Sequence, residues 1–537
     1  MPTERTHDDD RALGRSTLTL STLTLLSRVL GLVRDLLTAR VFADTAVGSA
    51  FAAAFAIPNL FRRLFGEGAL SAAFIPDYTR LSDGDPRGAS LFASLTLALL
   101  ALVTGAITIA LELALLVLLI VLPGDPDRDL SLRLVMVTLP YMPLICGAAV
   151  LGGMLQARGR FAPWAAAPVL LNLCLIGATT PFFFFDGADA RTWSYVVACA
   201  AVGAGVLQLL WMALALRGLT RWHGWRAIRS AWSETWPRAR AMLIRMGPVL
   251  IGLGTLQLNA LIDTAIAMWP NWVGPTAFGR AVPLDVSSNA VLFYAQRLYQ
   301  FPLGVFGIAV ATAAFPMLSR AAGDPERFAR AVARGVRLSL FIALPASVGL
   351  IIVREPLVRT VFTGSGGFSD DGAARAAAVL AGYGVAVWAY ALNQLWARVF
   401  YARGDTSTPM RVAVAMVAIN IPLNLMLIWP LREAGLAWST ALCAIGQCVV
   451  LAWLSRAPLA GLVRHVLHAA GAALAAGGGA LLGGWLADAL LLSPATGSAW
   501  TSDAIRLTAM VAGGGLAWLA VVLATRRPEL AWLLRRG

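Results

Sequence analysis

Four arginines are the main candidates for chemistry among the six that stand in three stretches otherwise apolar enough to lie within a membrane. The stretches SRVLGLVRDLLTAR, IPNLFRRLFGEGAL and LFYAQRLYQFPLG contain Arg28, Arg34, Arg62 and Arg297, with Asp35 directly after Arg34. A charge at the centre of a membrane helix costs roughly 2.5–3.5 kcal/mol on insertion scales. The acids in these stretches are too few to pair every arginine. We therefore predict that the four side chains face a water-filled cavity.

Such a cavity suits an anion, because one guanidinium group binds two phosphate oxygens at once. The four arginines are predicted to hold a phosphate or pyrophosphate, with Asp35 orienting Arg34. Arg63 and Glu67 have a spacing that favours an ion pair on one helix face. The alternative is structural: ion pairs within the protein and side chains that reach the membrane surface from helix ends, as expected for Arg40.

A second group of polar residues stands in later apolar stretches. Asp263, Asn420, Asn424 and Thr440 offer one carboxylate together with amide and hydroxyl oxygens. Oxygen ligands suit hard cations, and the single carboxylate points to Na⁺ rather than Ca²⁺. Hydrogen bonds of Asn and Thr between membrane helices account for the same residues, so the pattern leaves both interpretations open.

The composition is typical of a membrane protein. Of the 537 residues, 58% are hydrophobic and 13% are charged, against roughly 25% charged residues in soluble domains. Apart from histidine, all basic residues are arginine, so the lysine that a Walker A motif requires is missing. The 5 cysteines form no CxxC pair. We therefore expect no ATP-driven pump, no catalytic metal or other cofactor, and no nucleic-acid partner.

Apolar stretches of spanning length recur along the chain and predict about fourteen transmembrane helices. They lie at residues 16–43, 47–75, 89–122, 132–156, 162–184, 193–216, 241–269, 287–317, 336–353, 376–401, 409–430, 434–455, 465–491 and 504–525. If the N-terminus is cytoplasmic, most loop arginines fall on the inner side, as the positive-inside rule requires. Both termini are therefore predicted to be cytoplasmic.

An internal repeat divides the chain. SAAFIPDYTRLSDGDPR resembles TAAFPMLSRAAGDPER, and LQARGRFAPWAAAPVLLNLCLI resembles FYARGDTSTPMRVAVAMVAINIPLNLMLI. Two parallel six-helix repeats around a central cavity are a transporter architecture. We predict an N-terminal lobe at 1–216, a basic cytoplasmic linker at 217–240, a C-terminal lobe at 241–460, and two extra helices with a basic tail at 461–537.

The same motifs resemble a known family. SRVLGLVRD, IPNLFRRLFGEGALSAAFIP and FYAQRLYQFPLGVFGIAVATAAFPMLS, with the fourteen-helix layout, are similar to the MurJ (MviN) lipid II flippases. These belong to the multidrug/oligosaccharidyl-lipid/polysaccharide exporter superfamily. The resemblance implies that Arg28, Arg34, Arg62 and Arg297 are the essential cavity arginines. It also implies that the two last helices form a groove for a lipid tail.

The sequence departs from the family pattern at several positions. Gln296 and Gln300 stand where acids are frequent around the arginine of the eighth helix, and Ser49 replaces an acid of the second helix. The outer loop at 270–288 is longer than usual. These differences leave the predicted fold unchanged, but they question any mechanism that depends on those acids.

The resemblance implies a transporter and not an enzyme. Its substrate would be lipid II, the undecaprenyl-pyrophosphate-linked peptidoglycan precursor. The protein would flip this lipid from the inner to the outer leaflet of a bacterial cytoplasmic (inner) membrane by alternating access. We expect a monomer in which Na⁺, the membrane potential or both supply the coupling.

Three alternatives remain at this point. The closest is a flippase for another polyprenyl-pyrophosphate-linked oligosaccharide, as in O-antigen synthesis. A drug exporter of the same superfamily would not need an arginine-rich cavity. A membrane glycosyltransferase or ligase is less favoured, because the outer acids Asp370 and Asp371 stand in a stretch, GSGGFSDDGAAR, that is typical of a flexible turn.

Overall fold

The computed structural model describes residues 3–66, 69–122, 124–277, 279–304, 308–364, 366–456, 462–491, 499–526 and 529. Within these ranges the chain consists almost wholly of helices joined by short turns. The helices are α1 (Thr3–Phe42), α2 (Ala46–Ala54), α3 (Ala56–Phe61), α4 (Ala69–Gly84), α5 (Pro86–Val121), α6 (Pro126–Thr138), α7 (Tyr141–Ala157), α8 (Ala162–Thr179), α9 (Ala190–Ala215), α10 (Trp225–Ser230), α11 (Trp232–Ala267), α12 (Trp269–Trp272), α13 (Ser288–Pro302), α14 (Ile308–Ala321), α15 (Pro325–Phe362), α16 (Asp370–Val385), α17 (Val387–Ala402), α18 (Ser407–Leu431), α19 (Ala434–Leu454), α20 (Leu462–Leu491) and α21 (Ala499–Ala524).

Short irregular elements complete this list. A π-helical turn at Arg62–Gly66 lies between α3 and α4, and a 3₁₀ turn at Thr180–Phe184 follows α8. Strands β1 (Thr276–Ala277) and β2 (Arg280–Ala281) form an antiparallel hairpin. This hairpin lies in the long loop that the sequence places at 270–288.

Nine helical segments of the described chain are long and apolar enough to cross a membrane. Helices α16 and α17, which meet at a 40° bend, form a tenth if they make one span. All of these coincide with predicted segments. The predicted class, an all-α polytopic membrane protein, is therefore confirmed.

The other predicted segments are also helical, but they are not plain apolar spans. The segment at 47–75 is divided among α2, α3, the π turn and α4, and that at 287–317 between α13 and α14. The segments at 16–43 and 241–269 lie within α1 and α11, which carry the charges of the predicted sites. The number of fourteen spans therefore stays a prediction.

Polar residues determine where several helices begin. The carboxylates of Asp85, Asp125, Asp189 and Asp324 accept hydrogen bonds from backbone N–H groups in the first turns of α5, α6, α9 and α15. These N–H groups have no partner within the helix and need an acceptor. Proline follows the aspartate in α5, α6 and α15, where its fixed φ suits the first turn. The turns between apolar segments are thus encoded locally.

Contacts between helices divide the chain into two compact units, and the first is Met1–Trp272. Within it, α1 packs on α8, and α7 packs on α4, α5 and α9. Phe74, Phe92 and Met154 are completely buried in its core. Helix α11 packs on α3, α4 and α5, so it belongs to this unit by its contacts, although the repeat assigns most of it to the C-terminal lobe. The predicted lobe boundaries follow the internal repeat, whereas the two units follow the contacts between helices. The boundaries stay predictions.

The second unit is Val273–Gly537. Within it, α15 packs on α16, α17, α20 and α21, and Leu395 and Trp396 are buried in its core. The two extra C-terminal helices, α20 and α21, cross at a very short distance. A Cβ atom added at Gly479 would lie 2.4 Å from the carbonyl oxygen of Gly513. Glycine at this crossing permits the backbone contact by which membrane helices often associate.

Two ion pairs of Arg375, one of them buried, join three helix ends in the second unit. The guanidinium of Arg375 in α16 makes five hydrogen bonds: Nε to Glu433 (2.6 Å), Nη1 to Asp285 (2.8 Å) and Ser287 (2.9 Å), and Nη2 to Asp285 (2.9 Å) and Ser288 (3.2 Å). Asp285 precedes α13, and Glu433 precedes α19. We call these five residues the Arg375 network. Because a guanidinium has five N–H groups, the donors of Arg375 are fully used.

The network also anchors the long loop through Asp285. Burial by itself raises the pKa of Asp285, but hydrogen bonds from Arg375 and Ser287 outweigh this effect and hold the pKa below its usual range. A carboxyl group with a lowered pKa stabilises the fold above its ordinary pKa, and this contribution is lost as the pH falls through the lowered value. Asp285 is therefore ionised at neutral pH.

Candidate functional site

Within the first unit, Arg34 contacts Asp35, the residue predicted to orient it. Nε and Nη2 of Arg34 lie 3.0 and 2.6 Å from Oδ1 of Asp35, and the Asp35 side chain is only 10% exposed. Successive side chains of a helix point about 100° apart, so Arg34 bends around α1 to reach this oxygen. The charge-assisted bonds hold the guanidinium in one place.

Asn172 of α8 is a further partner of Arg34. Nη1 of Arg34 donates to Oδ1 of Asn172 at 2.9 Å, and Nδ2 of Asn172 donates to the carbonyl oxygen of Ser27 at 2.9 Å. Three of the five guanidinium N–H groups are used in these contacts within the described residues. The other two are available for an anion. The sequence interpretation missed Asn172, because it is an uncharged residue in an apolar stretch.

Arg62 lies close to the same group of residues. It begins the π turn, and its Nε donates to Oδ1 of Asn59 at 3.1 Å. Tyr141 of α7 lies within electrostatic range of both Arg62 and Arg34. The hydroxyl of Tyr141 in turn donates to Gln208 of α9 at 3.3 Å. The charges of the two arginines therefore both act on one tyrosine of the first unit.

The remaining predicted residues of the first unit are Arg28, Arg63 and Glu67. Arg28 is half-buried on α1. Arg63 donates to Oε1 of Gln257 in α11 at 3.0 Å. Glu67 lies outside the described residues, so its ion pair with Arg63 stays a prediction. The π turn, in which each N–H bonds five residues back, changes the helical spacing on which that prediction rests.

Arg297 lies in the second unit, on α13. Its guanidinium carbon is 4.3 Å from the centre of the Phe293 ring, and its Nη1 donates to Oε1 of Gln300 at 3.3 Å. The side chain is half-buried. A cation over an aromatic face is attracted to the ring electrons, so Phe293 and Gln300 both orient the charge.

The amides that replace frequent family acids have defined contacts. Gln300 accepts from Arg297, and Nε2 of Gln296 donates to the hydroxyl of Tyr383 at 2.7 Å. Ser49 is completely buried in α2. At Gln296 and Gln300, neutral groups therefore make contacts on α13 without adding negative charge next to Arg297.

The residues of the predicted Na⁺ site are divided between the two units. Asp263 is buried in the first, where it accepts from Asn259 at 3.4 Å. In the second, Nδ2 of Asn424 donates to Asn420 at 2.9 Å, and Asn420 and Asn424 both bond to the hydroxyl of Ser439. Thr440 follows Ser439 on α19.

This network of Asn420, Asn424 and Ser439 joins α18 to α19 and agrees with the hydrogen-bonding alternative. In the described ranges, no group of three or more His, Cys, Asp or Glu side chains is arranged so that it could hold a metal ion. That finding does not bear on a site made mainly of amide and hydroxyl oxygens. The Na⁺ site stays a prediction.

Comparison with protein families identifies the chain. The family model described as lipid II flippase MurJ matches residues 38–486. The chain belongs to the MurJ family. A relative from Rhizobium meliloti is 34% identical over 78% of this chain and 76% of its own. Another, from Vibrio cholerae, is 30% identical over 96% of both chains. Both carry the name "Probable lipid II flippase MurJ".

Solved structures agree on the fold. A lipid II flippase MurJ in an inward closed conformation is similar with a TM-score of 0.75 at 21% identity, over 95% of this chain and 99% of that one. An inward-facing multidrug resistance MATE family transporter of the MOP superfamily has a TM-score of 0.65 at 14% identity, over 83% and 99%. The fold of these solved structures is thus the one that the resemblance implied.

Proposed function

We propose that this protein flips lipid II from the inner to the outer leaflet of the bacterial cytoplasmic membrane. Membership of the MurJ family supports the substrate. The observation that carries the chemistry is the Arg34 guanidinium, held by Asp35 and Asn172 within an apolar helical unit. Charges of this kind inside a membrane protein are costly and mark substrate pathways.

In this proposal the arginines bind the pyrophosphate of the lipid. Arg34 has two N–H groups that make no hydrogen bond within the described residues, and a planar guanidinium binds two phosphate oxygens at once. Arg28 and Arg62 extend the positive surface in the first unit, and Arg297 contributes from the second. The internal repeat supports alternating access, in which the two halves expose the bound lipid to each side in turn.

Complementation tests the proposal. The gene is expressed in a bacterium depleted of its own lipid II flippase, and lipid II in the outer leaflet is assayed in the same cells. We expect growth and outer-leaflet lipid II to return together. Growth without outer-leaflet lipid II, or rescue of only an O-antigen flippase mutant, would contradict the proposed substrate.

We also propose that both termini are cytoplasmic and that the protein acts as a monomer. The arginines of the segment at 217–240 support the orientation. A cysteine at Gly224 should resist membrane-impermeant reagents in intact cells, whereas one at Gly366 should react, in a background without reactive native cysteines. Labelling of the Gly224 position from outside would overturn the orientation, and a dimeric mass in detergent would overturn the monomer.

We further propose that Asp263, Asn420, Asn424 and Thr440 bind Na⁺ in one state of the transport cycle. Na⁺ should then raise the thermal unfolding midpoint of the purified wild type, because a ligand that binds only the folded state stabilises it. Asp263→Asn should lose this response, with K⁺ as the matched control for ionic strength. An equal Na⁺ response of both proteins would leave hydrogen bonding between helices as the role of these residues.

A further inference from the structure

We infer that Asn172 is a positioning residue for anion binding, which orients Arg34 without adding a negative charge. The inference rests on the proposed function, since it concerns an arginine that we assign to the pyrophosphate. It adds a helix, α8, to the elements that determine how the substrate is held.

The amide of Asn172 has one chemically acceptable orientation. Its oxygen faces the Arg34 guanidinium and its nitrogen faces the carbonyl oxygen of Ser27, each at 2.9 Å. The reverse orientation would place N–H groups against the guanidinium and an oxygen against the carbonyl. The side chain is only 4% exposed, so water cannot readily replace either contact.

Gly31 makes room for this amide on α1. It lies between Ser27 and Arg34 in the sequence, and a Cβ atom at Gly31 would lie 3.5 Å from Nδ2 of Asn172. That distance is an ordinary van der Waals contact, so alanine fits, whereas a branched side chain would push the amide away. The position of Asn172 against α1 therefore depends on a small residue at this turn.

An amide suits this position better than a carboxylate. Arg34 is already paired with Asp35, and a second carboxylate would compete with an anionic substrate for the guanidinium. An amide oxygen accepts the hydrogen bond and leaves the net charge of the group unchanged. Arg62 and Arg63 likewise donate to amide oxygens, those of Asn59 and Gln257.

The substitution Asn172→Asp tests the inference, because asparagine and aspartate have nearly the same shape. Binding of undecaprenyl pyrophosphate to the purified full-length protein in nanodiscs would be measured at about pH 5 and about pH 8, across the range in which a perturbed aspartate ionises. We expect the ratio of the variant's affinity to that of the wild type to be about tenfold lower at the higher pH than at the lower. The reason is that the ionised side chain places a second carboxylate next to Arg34.

Asn393→Asp is the matched control. Asn393 also donates its amide to a carbonyl oxygen of a neighbouring helix, that of Ala444 at 2.9 Å, but it belongs to no predicted site. The affinity of Asn393→Asp for undecaprenyl pyrophosphate, divided by that of the wild type, should be the same at both pH values. If Asn172→Asp does not fold, Gly31→Val displaces the amide instead and should lower the affinity about tenfold.

The outcomes separate the inference from the proposed function. An affinity ratio of Asn172→Asp to wild type that is equal at both pH values would reduce Asn172 to a packing residue and overturn the inference. Unchanged affinity in Gly31→Val would do the same. Failure of the wild type itself to bind undecaprenyl pyrophosphate would instead contradict the proposed function.

Discussion

Alanine in place of Arg34 or Arg62 is expected to abolish complementation of a flippase-depleted bacterium while the protein stays in the membrane at its normal level. In the proposed mechanism, each guanidinium supplies charge-assisted hydrogen bonds to the substrate pyrophosphate. Losing one such bond costs roughly 1.5–3 kcal/mol, or about tenfold to a hundredfold in affinity. Arg28→Ala and Arg297→Ala should behave in the same way if the four arginines share the substrate. Growth and outer-leaflet lipid II, normalised to membrane-inserted protein, measure the effect.

Two residues of α1, Asp35 and Arg40, provide the controls for these substitutions. Removal of Arg34 takes an ion-pair partner away from Asp35, which is 7% exposed. The double variant Arg34→Ala, Asp35→Asn removes that buried charge and separates a folding defect from a transport defect. Arg40→Ala is the matched arginine control on α1, because Arg40 lies in the last turn of the helix. Its effect should be mild.

Lysine substitutions distinguish charge from geometry. Arg→Lys keeps the charge but loses the planar fork, so it should impair transport where two phosphate oxygens are bound together and be tolerated where only charge matters. Wild-type flipping by all four alanine variants would mean that the arginines are structural. The anion-binding mechanism would then be wrong.

The sequence reveals the arginines of the candidate site and Asp35, but not the uncharged partners. Each arginine is noticeable because a charge in an apolar stretch needs an explanation. Asn172, Asn59 and Gln257 are uncharged, and such residues are ordinary in membrane helices. The contact from Arg34 to Asn172 joins positions 138 residues apart, so no local spacing predicts it.

The internal repeat holds a signal that could have led to Asn172. In the similar stretches that end in NLCLI and NLMLI, Asn172 and Asn424 occupy the same position. Both are buried and make hydrogen bonds to a neighbouring helix. An amide that occurs at the same position in both copies indicates a structural contact with a neighbouring helix. It does not predict that one copy would contact an arginine.

The fold was predictable where hydrophobicity alone decides it. Plain apolar segments such as α5, α18 and α19 appear as spans at nearly the expected boundaries. Segments that carry the predicted site residues are divided or charged, so hydrophobicity alone does not mark them as spans. The π turn at Arg62–Gly66 has no periodic signature in the sequence. It also alters the spacing from which the Arg63–Glu67 pair was predicted.

Contacts between distant elements explain the other differences. The repeat places most of α11 with the C-terminal lobe, yet its packing on α3, α4 and α5 groups it with the first unit. Sequence similarity between the two halves does not determine which side chains contact each other. Asp285, Arg375 and Glu433 were likewise absent from the predicted sites, because they are far apart in the sequence and lie at loop or helix ends.

Of the substitutions proposed, replacement of Glu433 is expected to lower the free energy of unfolding the most. Glu433 is 2% exposed and Arg375 is 10% exposed as measured on their side chains, and Oε1 of Glu433 accepts from Nε of Arg375 at 2.6 Å. Glu433→Ala leaves this buried guanidinium with one donor unpaired and also removes one of the two acceptors of the Ser288 hydroxyl. Breaking a buried ion pair by removing one partner costs about 3–5 kcal/mol. The thermal unfolding midpoint of the purified protein should therefore fall by several degrees.

Asp371→Asn is the matched control for Glu433→Ala, because it also removes an acid facing Arg375. The carboxylate of Asp371 is 73% exposed and lies 3.6 Å from Nη1 of Arg375, and an exposed pair contributes about 0–1 kcal/mol. The midpoint of this variant should stay close to that of the wild type.

Replacing both partners by apolar residues, as in Arg375→Met with Glu433→Leu, should recover part of the loss, since neither charge then remains buried without the other. Equal midpoints for Glu433→Ala and Asp371→Asn would mean that the pair contributes no more than an exposed one. The three helix ends would then be held by backbone and apolar contacts rather than by the Arg375 network.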